Sequence, residues 1–150
     1  MEKKTYDFFK EQLAIGKLYE TKAQSQLIQY YKNKYVVVSE CNDNKYDFVM
    51  SNGKAYEVKA DLIASKTGYI FIENVQYNKE SGIETTEANY YIIIIIVSNY
   101  FKQHEKYLKI SVKTIKELIS NNEYDKVYED KNKSGYLFRI DVIEKKSKVI

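Results

Sequence analysis

Apolar residues recur at helical spacing near the amino terminus, where Tyr6, Phe9 and Leu13 predict a helix over 4–13 that Gly16 then breaks. A second helix is expected over 17–32. At about 100° per residue, Glu20, Ala23, Leu27 and Tyr31 fall in one stripe, while Lys22, Ser25, Gln26 and Gln29 cover the opposite side. The β-branched run YVVVSE predicts a strand over 35–40. From 45 to 60 the chain reads KYDFVMSNGKAYEVKA, two strand-like runs joined by Ser51, Asn52 and Gly53. Further strands are expected at 69–73, 90–98, 107–112 and 135–143. A short helix start is expected at Thr85, Thr86 and Glu87, and a helix over 113–120 with Ile115, Leu118 and Ile119 facing inward. Residues 62–68, 76–83 and 121–134 read as connections.

The run YYIIIIIVS at 90–98 does not alternate. A strand of that kind is buried on both faces, which implies a central position with helices covering the sheet. The element order predicts an α/β domain with a mixed central sheet flanked by helices. One domain is expected over 1–150, with a core at about 17–98 and a strand-helix-strand extension over 107–150.

Composition narrows the function classes. The 44% hydrophobic and 30% charged residues give a globular balance, and a net charge of +3 permits a polyanionic partner without demanding one. A single cysteine, Cys41, excludes an intrachain disulfide framework and fits a reducing, cytoplasmic setting. No apolar signal core precedes residue 13, and no run approaches the ~20 residues of a membrane helix. His104, the lone histidine, lies in the charged run KQHEK, which argues against a His-rich metal site or a Ser-His-Asp mechanism.

The candidate chemistry lies in the hairpin. Glu57 and Lys59 share a strand face, with Tyr56, Val58 and Ala60 on the other. A three-residue loop of Ser51, Asn52 and Gly53 sets Asp47 opposite Glu57, whereas a two-residue loop sends the carboxylates to opposite faces. The three-residue register is the one expected. Glu-x-Lys alone is weak, since Glu2/Lys4, Glu20/Lys22, Glu129/Lys131 and Glu144/Lys146 match it too. Only Glu57 and Lys59 follow a turn and an acid-bearing strand. Glu20, in the apolar stripe, needs a partner, a metal or a route to solvent.

These residues resemble the PD-(D/E)xK nuclease superfamily, whose restriction-endonuclease-like core is a helix, three strands, a helix and a further strand. The resemblance spans roughly 17–98. Asp47 would be the family aspartate, Glu57-Val58-Lys59 its ExK element, and Glu20 the additional acid on the first core helix; Tyr46 stands where the strict motif has proline. It implies a Mg²⁺-dependent endonuclease, with Mn²⁺ able to substitute, that cuts DNA to 5′-phosphate and 3′-hydroxyl ends. With no appended reader module, the expected substrate is branched or junction DNA, as for a Holliday junction resolvase, cut by a homodimer. The alternatives are a sequence-specific restriction-type enzyme and a non-catalytic nucleic-acid-binding module.

The residue chemistry points the same way. Asp47, Glu57 and the Val58 carbonyl would offer a hard cation oxygen ligands, Lys59 would position or deprotonate the attacking water, and Glu20 would serve a second cation or that water. Glu73 is a possible accessory acid. Lys66, Thr67, Ser81, Thr85 and Thr86 are candidate phosphate contacts, with turn and capping roles as the alternative.

Overall fold

The computed structural model describes residues 3–41, 43, 45–98 and 101–150, with side chains from residue 10 onward in the first helix. Helix α1 (Lys3–Tyr30) is followed by strands β1 (Val37–Glu40), β2 (Phe48–Met50) and β3 (Ala55–Asp61), the single-turn helix α2 (Ala64–Thr67), and strands β4 (Tyr69–Gln76) and β5 (Lys79–Glu80). A 3₁₀ turn (Gly82–Glu84) leads to β6 (Tyr90–Ser98), β7 (Gln103–Ser111) and α3 (Val112–Ser120). Strands β8 (Lys126–Glu129) and β9 (Lys133–Arg139), helix α4 (Ile140–Lys146) and strand β10 (Lys148–Val149) complete the order.

Six strands form a mixed sheet in the order β1-β2-β3-β6-β7-β10. Strands β3 and β6 run parallel, and the other neighbours are antiparallel. A parallel pair needs a crossover, and everything from α2 to the 3₁₀ turn supplies it. Part of that crossover enters a second, antiparallel sheet of order β5-β4-β9-β8.

The isoleucine run explains how the layers hold together. Side chains alternate along β6, so Ile92 and Ile94 pack with Ala23 and Leu27 of α1, beside Phe48, Met50 and Tyr56. Tyr91, Ile93 and Ile95 point into a second core with Ile70 and Ile72 of β4, Ile115 of α3 and Phe138 of β9. Both cores claim the same strand, which is why no polar residue interrupts it. The expected central strand, buried on both faces within an α/β fold, is the strand observed.

Several local expectations are corrected. Gly16 does not break the first helix: α1 runs continuously over 28 residues. An isolated glycine costs about 1 kcal/mol relative to alanine, too little to end a long helix without a proline or a capping residue. The segment expected as a strand over 135–143 is strand only to Arg139, where α4 begins. Its inward residues change spacing there, from Tyr136 and Phe138 two apart to Ile140 and Ile143 three apart. Residues 85–87 form no helix: Thr86 donates to the Lys45 carbonyl at 3.1 Å and accepts the Ala88 N–H at 3.1 Å, holding the chain open. The connections at 62–68 and 121–134 contain α2 and β8, and the polar stretch 76–83 contains β5. Strand β4 extends past the expected 69–73 and lies in the second sheet, so it is not a hydrogen-bonded neighbour of β3. Among the described residues no helix is long and apolar enough to cross a membrane.

Candidate active site in the β2–β3 hairpin

Gly53 sets the hairpin. Its φ of +80° is open to glycine and strained for other residues. The resulting three-residue loop lets Met50 N–H donate to Lys54 O at 3.0 Å and Gly53 N–H to Met50 O at 2.9 Å. Phe48 then pairs with Tyr56 and Val49 with Ala55. The same register carried back one residue sets Asp47 opposite Glu57, as expected from the loop, and Asp47 N–H donates to Tyr56 O at 2.9 Å.

Asp47 stands at the mouth of the hairpin, where the β2–β3 ladder ends. Its Oδ2 accepts the Val58 N–H at 2.6 Å, taking the place of the next ladder bond. The Val58 carbonyl shares the β2 side with that N–H. Lys59 Nζ lies 3.9 Å from Glu57 Oε1, with the Lys59 side chain 36% exposed and that of Glu57 12%.

Glu57 is the least satisfied group. Its Oε2 is buried without a hydrogen-bond partner, and so is the hydroxyl of Tyr91, the residue beside it on β6. Burial pushes the Glu57 carboxyl above its ordinary range. Lys59 and the Thr86 hydroxyl pull it down, nearby Asp47 pushes it up, and Tyr91 pulls it down weakly. Asp47 is also raised, first by burial, with the Val58 N–H, Lys59 and Lys17 opposing. Burial pushes the Tyr91 hydroxyl far up, and the charges of Glu57, Glu73 and Asp47 add to it.

Glu20 approaches from the α1 side of the sheet, whereas Glu57 stands beside Tyr91 on the opposite side. Burial raises Glu20, the Asp47 charge raises it further, and Lys17 opposes both. Lys17 sits 3.3 Å from Glu20 and 3.1 Å from Glu40, tying the helix to β1. Sequence reasoning did not single out Lys17 or Tyr91. The i, i+3 spacing of Lys17 and Glu20 was legible, whereas Tyr91 needed the parallel β3–β6 register.

The outlying residues divide. Glu73 accepts from the Ser81 hydroxyl at 3.0 Å in the second sheet, near enough to Tyr91 for its charge to be felt there. Thr86 is beside the site through its influence on Glu57. Thr67 Oγ1 accepts the Tyr69 N–H at 3.2 Å, Thr85 Oγ1 lies 3.5 Å from Gly82 O, and Lys66 is exposed on α2. Their observed contacts are local ones. Among the described residues, no three His, Cys, Asp or Glu side chains group closely enough to hold a metal ion by themselves. His104 is exposed on β7, and the Cys41 thiol donates to Asp43 at 2.7 Å.

No family model, curated protein or solved structure matches this chain.

Proposed function

We infer that the chain is a Mg²⁺-dependent endonuclease of the PD-(D/E)xK type, acting as a homodimer on branched or junction DNA. One observation carries the reading: the hairpin sets two half-buried carboxyls against each other, Glu57 with one oxygen lacking a partner, and a lysine on the Glu57 face. The order α1-β1-β2-β3-α2-β6 supports it, since it follows helix, three strands, helix and strand, with β4 and β5 set aside in a second sheet. The partnerless Glu57 Oε2 and raised carboxyls fit a cation ligand set. Two carboxylates and a carbonyl also leave room for the waters that Mg²⁺ keeps.

Asp47, Glu57 and the Val58 carbonyl would hold the cation, which supplies positive charge for the phosphate and acidifies water. Lys59, exposed at the rim, orients the attacking water or takes its proton. Glu20 helps order water from the α1 side, next to Asp47. The mildly basic chain is compatible with a polyanionic substrate.

The test is cleavage of junction, flap, single-stranded and duplex DNA with and without Mg²⁺. The wild-type protein is expected to cut a branched substrate, and Asp47→Asn and Lys59→Ala to lose about 10²- to 10⁴-fold in rate. Variants that cut as fast as wild type would sink the assignment. The Asp47–Val58 hydrogen bond, which already occupies one carboxylate oxygen, favours a second reading: a DNA-binding module whose site is unused. Binding without nicking in Mg²⁺ or Mn²⁺ would select it.

A further inference from the structure

The second sheet buries one face and leaves the other with a built aromatic surface. Ile70 and Ile72 of β4 face the core, so Tyr69 and Phe71 face outward. On that outer face Phe71 pairs with Leu137, which pairs with Lys126, while Tyr128 pairs with Gly135. A Cβ at Gly135 would stand 2.6 Å from the Phe71 ring, so the missing side chain is what lets the ring lie across this position. Phe71 in turn meets Tyr128 edge-on at 5.7 Å.

Cations are interleaved with these rings. Lys126 Nζ lies 4.7 Å from the Tyr69 ring centre and Lys133 Nζ 5.2 Å from that of Phe71. A cavity of about 570 Å³ bounded by Phe71, Tyr128, Lys133 and Leu137 also takes in Lys59 and Asp61 from the end of β3. It therefore begins at the hairpin lysine. A neighbouring hollow continues along Tyr69 and Lys126. The linings of the two hollows hold three lysines and one carboxylate, Asp61, whose Oδ2 is engaged by the Phe71 N–H at 3.0 Å, while two further carboxylates stand at the ring tips. The Tyr69 and Tyr128 hydroxyls donate to Asp125 and Asp130, which fixes the ring tips.

Rings alternating with lysines suit a polyanion whose bases are free to stack. Duplex DNA has its bases already stacked and would offer this face only phosphates; a single strand offers both. We propose that the outer face of the β4–β9–β8 sheet binds single-stranded DNA, with bases against Tyr69, Phe71 and Tyr128 and phosphates on Lys126 and Lys133. The strand's lead towards Lys59 rests on the nuclease reading, and the binding itself does not.

Fluorescence anisotropy in EDTA, with a labelled oligothymidylate of about twelve residues and a blunt duplex of equal length, tests this without hydrolysis. The full chain is expected to bind the single strand more tightly. Tyr128→Ala and Phe71→Ala should each weaken that binding roughly 5- to 100-fold and leave duplex binding within about twofold, with folding checked by circular dichroism. If Phe71→Ala fails to fold, Lys126→Ala with Lys133→Ala serves in its place. Losing two phosphate contacts should flatten the plot of log K against log salt by about 1.4. Folded aromatic and lysine variants that bind the single strand as wild type does would overturn the proposal, as would a wild-type preference for duplex. Cleavage that depends on Lys59 alongside normal binding by these variants would refute this surface and spare the nuclease. Ring-dependent binding without any cleavage would do the reverse.

Discussion

Glu57 and Glu105 stand on the two strands that flank β6, each with a lysine and a tyrosine close by, yet their electrostatics are opposite. Glu105 receives hydrogen bonds from Lys22 and from the Tyr107 hydroxyl. Burial pushes its carboxyl up, but those two bonds and the Lys22 charge outweigh it and leave Glu105 below its ordinary range. At Glu57 the lysine stays 3.9 Å away, the neighbouring tyrosine completes no hydrogen bond, and burial wins. The same three residue types thus make a closed ion-pair cluster on one strand and an open acid on the other. Buried polar groups normally find partners, so an acid left short of them is where an external partner is expected.

The sharpest way to break this comparison is activity. Glu57→Gln should lower Mg²⁺-dependent cleavage about 10²- to 10⁴-fold, and Glu105→Gln should leave it within about twofold. Equal losses would mean that Glu57 is as structural as Glu105. Next comes thermal stability with added cation. At a Mg²⁺ concentration ten times the dissociation constant, binding to the native state alone is worth about 1.4 kcal/mol. The wild type and Glu105→Gln should both show that rise in Tm, and Glu57→Gln should not.

The tyrosines give a smaller effect. Tyr107→Phe removes a satisfied hydroxyl and should cost about 1 kcal/mol, whereas Tyr91→Phe removes a partnerless one and should be neutral or stabilising. Denaturant unfolding of the two variants measures the difference directly.

The smallest effect is in pH dependence, and the two acids should differ in sign. Glu57 has a raised native pKa, so its folded form binds the proton more tightly. The stability it contributes is complete below the ordinary carboxylate range and is lost as pH rises through the native pKa. Glu105 has a depressed native pKa, so its contribution is present above the ordinary range and is lost as pH falls through the native value. The Tm of Glu57→Gln minus wild type should therefore climb between acid and neutral pH, while that of Glu105→Gln should fall. Each change is about a degree or two, because Glu105 is solvent-screened and the charges beside Glu57 partly offset its burial. Parallel slopes would contradict the assigned electrostatics.

Features set by neighbouring residues were readable in the sequence. Ser51-Asn52-Gly53 admitted a two- or a three-residue loop; the three-residue one, expected and observed with Gly53 in the left-handed region, sets Asp47 opposite Glu57. The isoleucine run required two apolar faces, and the structure supplies two cores. What was hidden depended on partners distant in sequence. Residues 126–129 are exposed throughout and become β8 only because β9 offers a hydrogen-bonding edge. Tyr69 to Glu73 reads as a strand in isolation, but nothing in it says which sheet it joins. Glu20 was legible as an acid in an apolar stripe, and its side of the sheet relative to Glu57 was not.

Strand β6 also sets a timetable. The hairpin closes over a three-residue loop, a contact quick to form, whereas the β3–β6 ladder joins residues more than thirty apart and must wait for chain beyond residue 90. During synthesis at about 5–20 residues per second, Asp47 and Glu57 emerge seconds before Tyr91 and the isoleucines can cover the sheet. In that interval both carboxyls remain hydrated and ordinary. Their unusual electrostatics arise only when β6 docks, so the hairpin's charge environment forms with the strand that both cores share.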